Sequence, residues 1–94
     1  MTELGQFLAS VNLFVDKSQM DNVLSELSKL QNTREVYEVA GEYDVVSLVS
    51  ASSVEEFYDV LQRKIMKIRG VKSIITTVVL ARYKEIGGQG EKIL

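Results

Sequence analysis

Neither cysteine nor histidine occurs in this 94-residue chain. Without cysteine there is no disulfide framework and no thiolate metal site. Without histidine there is no imidazole general base, none of the usual zinc sites and no histidine pH switch. A strong charge of one sign is also missing. The formal net charge is −2 at pH 7, so there is no basic footprint for nucleic acid. No apolar run approaches the about 18 residues that would span a membrane. The opening stretch, MTELGQFLASVNLFV, lacks the basic region that begins a signal peptide. A cytoplasmic protein is expected. The motifs GxGxxG, Walker A and GxSxG are all absent. GGQG at residues 87–90 is glycine-rich, but it does not join a strand to a following helix.

What is present fits one small domain over residues 1–94, with a core at about 6–84 and a flexible tail at 85–94. Apolar residues make up 46% of the chain, which excludes intrinsic disorder. Gln6 to Val15 alternates as a strand. Ser18, with Asp21 three residues on, predicts a helix start. Met20, Val23, Leu24, Leu27 and Leu30 then follow as an apolar stripe. Arg34–Ala40 and Tyr43–Ala51 read as two strands joined at Gly41. Ser53 and Glu56 form a capping box for a second helix, whose stripe is Val54, Phe57, Leu61, Ile65 and Ile68. Glu55, Glu56 and Asp59 are explained by capping and the helix dipole rather than by acid–base catalysis. Gly70 should stop this helix, and Val71–Lys84 should be a long last strand. The order βαββαβ predicts an α+β, ferredoxin-like sandwich, a four-stranded antiparallel sheet with two helices on one face.

Two helices cover only one face of such a sheet. Both faces of the last two strands carry large apolar residues: Val45 and Val49 oppose Val46 and Leu48, and Ile74 and Val78 oppose Ile75 and Val79. An apolar face left open marks an interaction surface. The expectation is a homodimer whose sheets pack face to face.

The stretch between strands two and three, Gly41-Glu42-Tyr43-Asp44, admits two readings. In one it is a plain hairpin, with Gly41 at positive φ and Asp44 satisfying nearby backbone amides. In the other it is a pocket for a small zwitterion. Asp44 then accepts from an ammonium and backbone amides donate to a carboxylate. Hydroxyls of Ser73, Thr76 and Thr77 on the last strand contribute further partners, as buried hydroxyls among Ile and Val require.

The stretch VAGEYDVVSLVSASSVEEFYDVLQRKIMKIRGVKSIITTVVL resembles the effector-binding (RAM) domain of the Lrp/AsnC, or feast/famine, transcription regulators. The resemblance rests on V-x-G-x-Y-D at Val39–Asp44, the apolar strand after it, the acidic-start helix, Gly70-Val71, Thr76 and Val79-Leu80. It implies the βαββαβ fold, pairing through the sheets and assembly of dimers into octamers. An amino-acid effector would bind between dimers, with Gly41, Tyr43 and Asp44 lining the site and Thr76 approaching it. No cofactor or metal and no enzymatic activity is implied. The regulators carry a helix-turn-helix domain ahead of this module. This chain begins almost at the first strand, so the expectation is a ligand domain that does not bind DNA itself and co-assembles with full-length regulators. Ile74 and Ile75 stand where the family often has polar residues, which points to a more apolar pocket. The alternatives are a small enzyme on a dimeric α+β barrel, or an ACT-like regulatory domain with edge-to-edge sheets.

Overall fold

The computed structural model describes residues 6–85. Strand β1 (Phe7–Val15) is followed by a single 3-10 turn at Lys17–Gln19 and helix α1 (Met20–Lys29). Strands β2 (Thr33–Glu38) and β3 (Val45–Ala51) come next. Helix α2 (Val54–Val60) continues into a wider π turn at Leu61–Ile65 and leads to β4 (Val71–Val78). The strands form one antiparallel sheet in the order β2-β3-β1-β4, the predicted ferredoxin-like α+β arrangement. The tail from residue 86 onward lies outside the described residues.

Alternation decides which side of the sheet is covered. Ala9, Val11, Leu13 and Val15 of β1 pair with Val49, Ser47 and Val45 of β3 and with Val78, Thr76, Ile74 and Val71 of β4. That side packs on Val23 and Leu27 of α1 and on Phe57, Val60 and Ile65 from the second helical segment. All of its β1 residues from Ala9 to Val15 are buried. Phe7 closes one end, its ring centroid 4.9 Å from that of Phe57. Ser47 is fully buried among these apolar groups, and its hydroxyl donates to the Val11 carbonyl at 3.0 Å. A buried hydroxyl would otherwise cost the loss of its water.

Both helix starts differ in detail from expectation. Asp16, not Ser18, is the first cap: its carboxylate accepts the Ser18 amide at 3.0 Å and the Ser18 hydroxyl at 2.9 Å. These contacts, the amide first, lower the Asp16 pKa. Ser18 sits inside the 3-10 turn, so α1 begins at Met20 with no side-chain cap. At the second helix Ser53 is the cap, accepting the Glu56 amide at 3.0 Å. Glu56 reaches past Ser53 to Ser52, accepting its hydroxyl at 2.6 Å and its amide at 2.7 Å. Its other oxygen accepts from Asn32 Nδ2 at 3.0 Å, which ties the start of β2 to that of α2.

The Ser52 hydroxyl, then the Ser52 amide, then Asn32 pull the Glu56 pKa from an ordinary 4.5 down to about 2. A carboxylate depressed on folding stabilises the fold above its unfolded value, and that stability is lost as pH falls. The contribution of Glu56 should therefore be complete above pH 4.5 and fade on acidification towards about 2. Thermal unfolding of wild type and Glu56→Gln should differ most near neutrality and converge in acid. Parallel melting curves across that window would remove the ionised cap from the account.

The second apolar stripe also departs from prediction. Val54 is 45% exposed, and Val60 is buried instead. Beyond Val60 the helix widens into the π turn, in which Met66 N–H donates to the Leu61 carbonyl at 2.9 Å. An unbroken α-helix would place Lys64, four residues after Val60, on the buried face. The extra residue in the turn passes Lys64 to solvent and brings Ile65 into the core. Strand β4 ends at Val78, short of the expected Lys84, although Val79 N–H still reaches the Leu8 carbonyl at 2.9 Å.

Candidate functional site

The hairpin between β2 and β3 is closed by Val39 N–H donating to the Asp44 carbonyl at 3.0 Å. Within it Gly41 has φ +154°, and a Cβ there would have no atom within 4 Å. The glycine therefore answers a backbone need, not a crowded one. Asp44 is stitched to β1 twice. Its amide donates to the Leu13 carbonyl at 3.0 Å, and its carboxylate Oδ2 accepts the Val15 amide at 2.8 Å. The β1–β4 register slips between Phe14 and Val15, and β3 starts only at Val45. The carboxylate thus takes the place of the next rung of the ladder. Among the described residues Oδ1 has no partner.

The ring of Tyr43 packs on Phe14, centroids 5.3 Å apart. Phe14 in turn pairs with Ser73 of β4. Tyr43, Asp44 and Ser73 therefore gather at one end of the sheet, around the end of β1. Gly41 and Glu42 are exposed at the tip beside them. Thr76 and Thr77 do not join this group. They pair with Val11 and Ser10, about 10–13 Å further along the strand at some 3.3 Å per residue. Thr76 also lies on the helix side of the sheet. The expectation of buried hydroxyls in β4 is corrected as well. β4 is an edge strand, Ser73 and Thr77 are exposed, and Thr76 is half-buried. The buried hydroxyl with no partner among the described residues is that of Thr33.

The face without helices carries Leu8, Phe14, Val46 and Leu48, all half-buried, and Ile75, 46% exposed. Ser10, Asn12, Ser50 and Thr77 alternate with them, so the apolar patch is interrupted, not continuous. On β2 this face shows Glu35 and Tyr37. The Tyr37 hydroxyl donates to Glu35 Oε1 at 2.6 Å, and this bond raises its pKa.

Sequence reasoning missed a second gathering, at the opposite end of this open face. The β2–β3 register slips between Thr33 and Glu35, leaving Arg34 as the extra residue of a bulge. Arg34 and Glu35, neighbours that a regular strand would send to opposite faces, line one cleft. The legible signal was an adjacent pair of opposite charges at the start of a short strand.

Among the described residues no cluster of three acidic side chains could hold a metal ion, and no helix is long and apolar enough to cross a membrane.

Residues 8–88 match the family model of the Lrp/AsnC ligand binding domain. The regulator Ptr1 of Methanocaldococcus jannaschii is 28% identical over 80 residues, which cover 85% of this chain and 54% of Ptr1. The chain thus spans about half the length of the curated regulators it matches. Among solved structures, TTHA0845 from Thermus thermophilus superposes with a TM-score of 0.79 at 29% identity, covering 84% of this chain and 99% of that one. The feast or famine regulatory protein Rv3291c from M. tuberculosis, complexed with L-methionine, gives 0.73 at 30% identity, covering 84% of this chain and 53% of that one. By its sheet order, its hairpin and this match over nearly its whole length, the chain belongs to the Lrp/AsnC ligand-binding domain family.

Proposed function

We propose that this chain is a non-enzymatic, cytoplasmic module that senses a small amino acid and transmits its presence through oligomeric assembly. Two copies pair through the helix-free sheet faces, and dimers assemble further, with an octamer as the expected end state. The effector binds at the hairpin end, between dimers. Asp44 Oδ1 accepts its ammonium, and Tyr43 and Ser73 line its surroundings. Gly41 and Glu42 shape the turn, and Thr76 and Thr77, further along β4, stay outside the site. The observation that carries this reading is the state of Asp44: one carboxylate oxygen is fixed by β1, and the other has no partner among the described residues. A relative of 30% identity complexed with L-methionine supports the ligand class. The module works by entering mixed assemblies with regulators of its family.

Regulation of this kind needs the ligand to bind one assembly state better than another. Light scattering after size exclusion, with and without each of the common amino acids, is the test. A ligand-dependent shift between dimer and higher forms is expected. The variant Asp44→Asn keeps an oxygen for the Val15 amide but loses the charge. It should retain assembly and weaken the response by roughly ten- to a hundredfold, the worth of a charged hydrogen bond. A monomer under every condition, or wild-type response in Asp44→Asn, would overturn the proposal.

A further inference from the structure

The cleft at the bulge lies at the other end of the sheet from the hairpin, so it goes beyond the hairpin site above and stands without it; its link to pairing rests on the proposed pairing of sheet faces. It encloses about 420 Å³ on the open face, within the size of small-molecule sites. Leu8 and Leu48 form its apolar floor, and Arg34, Glu35, Arg82 and Glu85 supply the charges around it. Arg82 and Glu85 make only a loose ion pair with each other, at 3.6 Å. Arg34 is different. Its described partners are neutral: the Ser50 hydroxyl at 3.3 Å and Gln6 Oε1 at 3.5 Å, both through Nη1. Nη2 and Nε make no described bond. A guanidinium presents five N–H donors in a fork that matches a carboxylate.

The bulge matters because it re-aims a side chain. Without it Arg34 would face the helices and Glu35 the cleft. With it a cation and an anion sit together above a leucine floor. Pairing of two copies through this face would also draw water off the cleft. A guanidinium that loses its water needs an anion beside it.

We infer that this cleft is a second ligand site, for a small organic carboxylate with an aliphatic body. The carboxylate takes the free side of the Arg34 fork and the aliphatic body lies on Leu8 and Leu48. Where the ligand also carries an ammonium, the Glu35 oxygen that Tyr37 does not use accepts it. Because the cleft opens on the pairing face, a bound carboxylate also tightens the pairing of two copies.

Titration calorimetry of the full chain with L-leucine, L-methionine and the 2-hydroxy acid of leucine tests this. Saturable binding is expected, weakened roughly ten- to a hundredfold in Arg34→Gln. Glu35→Gln should weaken the two amino acids and leave the hydroxy acid unchanged, which separates a zwitterion from a plain carboxylate. Asp44→Asn separates the two ends of the sheet. Binding lost in Arg34→Gln but kept in Asp44→Asn places the ligand in the cleft, even if the hairpin reading fails. The reverse pattern places it at the hairpin and overturns the inference. Absence of saturable binding by any of the three compounds overturns it as well. So does an Arg34→Gln variant that weakens pairing on dilution without ligand and leaves every binding heat unchanged. That result would make the cleft a contact between subunits.

Discussion

Replacing Gly70 by alanine should cost about 2–4 kcal/mol of stability, from backbone strain and overpacking together. Gly70 has φ +110°, a conformation that side-chain-bearing residues rarely adopt. Its surroundings are as restrictive as its backbone. A Cβ would lie 2.4 Å from Gln19 Cβ and 2.9 Å from Cγ2 of Val23. Val23 is fully buried, so it has no room to retreat. Nor can the backbone simply move. The Gly70 carbonyl accepts the Asp16 amide at 2.8 Å, and the neighbouring Arg69 carbonyl accepts from Asn22 Nδ2 at 2.9 Å. These bonds hold the exit of the second helical segment against the entrance of α1. In a domain of this size such a loss lowers the melting temperature by roughly 10–25 °C. Gly41→Ala is the matched comparison, with positive φ but open space around it, and should melt much closer to wild type. Equal melting of the two variants would show that the close approach at Gly70 contributes nothing.

That glycine was legible as a helix stop, because a glycine following a run of Lys, Ile and Arg at a helix end has few other readings. The stripe of α1 was legible for a similar reason. Met20, Val23, Leu24, Leu27 and Leu30 recur at a spacing only a helix uses, and all are buried or half-buried. The second stripe failed only at its first residue, Val54, and left out Val60. A period of 3.6 residues cannot register a π turn, which inserts its extra residue without any mark in composition. The bulge at Arg34 was hidden in the same way, since REVYE alternates well enough to pass for a regular strand. Both features change what faces what. The first exchanges Lys64 for Ile65 in the core, and the second gathers two opposite charges into one cleft.

The hairpin was located correctly by its Gly41 and Asp44, but sequence alone could not divide the work of Asp44. Both readings of the stretch hold part of the geometry. One carboxylate oxygen substitutes for a missing backbone rung, as the plain hairpin requires. The other oxygen and the neighbouring tyrosine leave room for the ligand reading. Ser73 could be joined to this end only through the register of β4 on β1, which sets it across from Phe14. Thr76 and Thr77, a few residues on, fall too far along the strand, and Thr76 falls on the other face. Register is a long-range property, fixed by how the two edges of β1 are shared between β3 and β4. Spacing within one segment does not carry it.

A charge at the centre of the helix-free face should separate assembly from folding. Val46 is the position to use. It lies on the central strand β3, between Asn12 of β1 and Tyr37 of β2, and it lines neither the cleft nor the helix-side core. Val46→Glu should cost the isolated fold less than about 1 kcal/mol, the span of strand propensities. In a symmetric pair the same substitution enters the interface twice. Each copy would then bring a carboxylate into apolar contact with no partner to pair with. The dissociation constant of the dimer should rise by about a thousandfold or more, which corresponds to about 4 kcal/mol shared between two copies. Sedimentation velocity across a dilution series measures it. Val54→Glu, on the exposed side of α2, tests whether any added charge has the same effect, and it should leave assembly as in wild type. A monomeric Val46→Glu chain with an intact circular-dichroism spectrum would place the pairing surface on the open sheet and show that the fold does not depend on it. An assembly unchanged by Val46→Glu would move the pairing surface elsewhere. The alternation of Leu8, Phe14, Val46 and Leu48 with serine and asparagine would then be the compromise of a sheet face that meets water on its own.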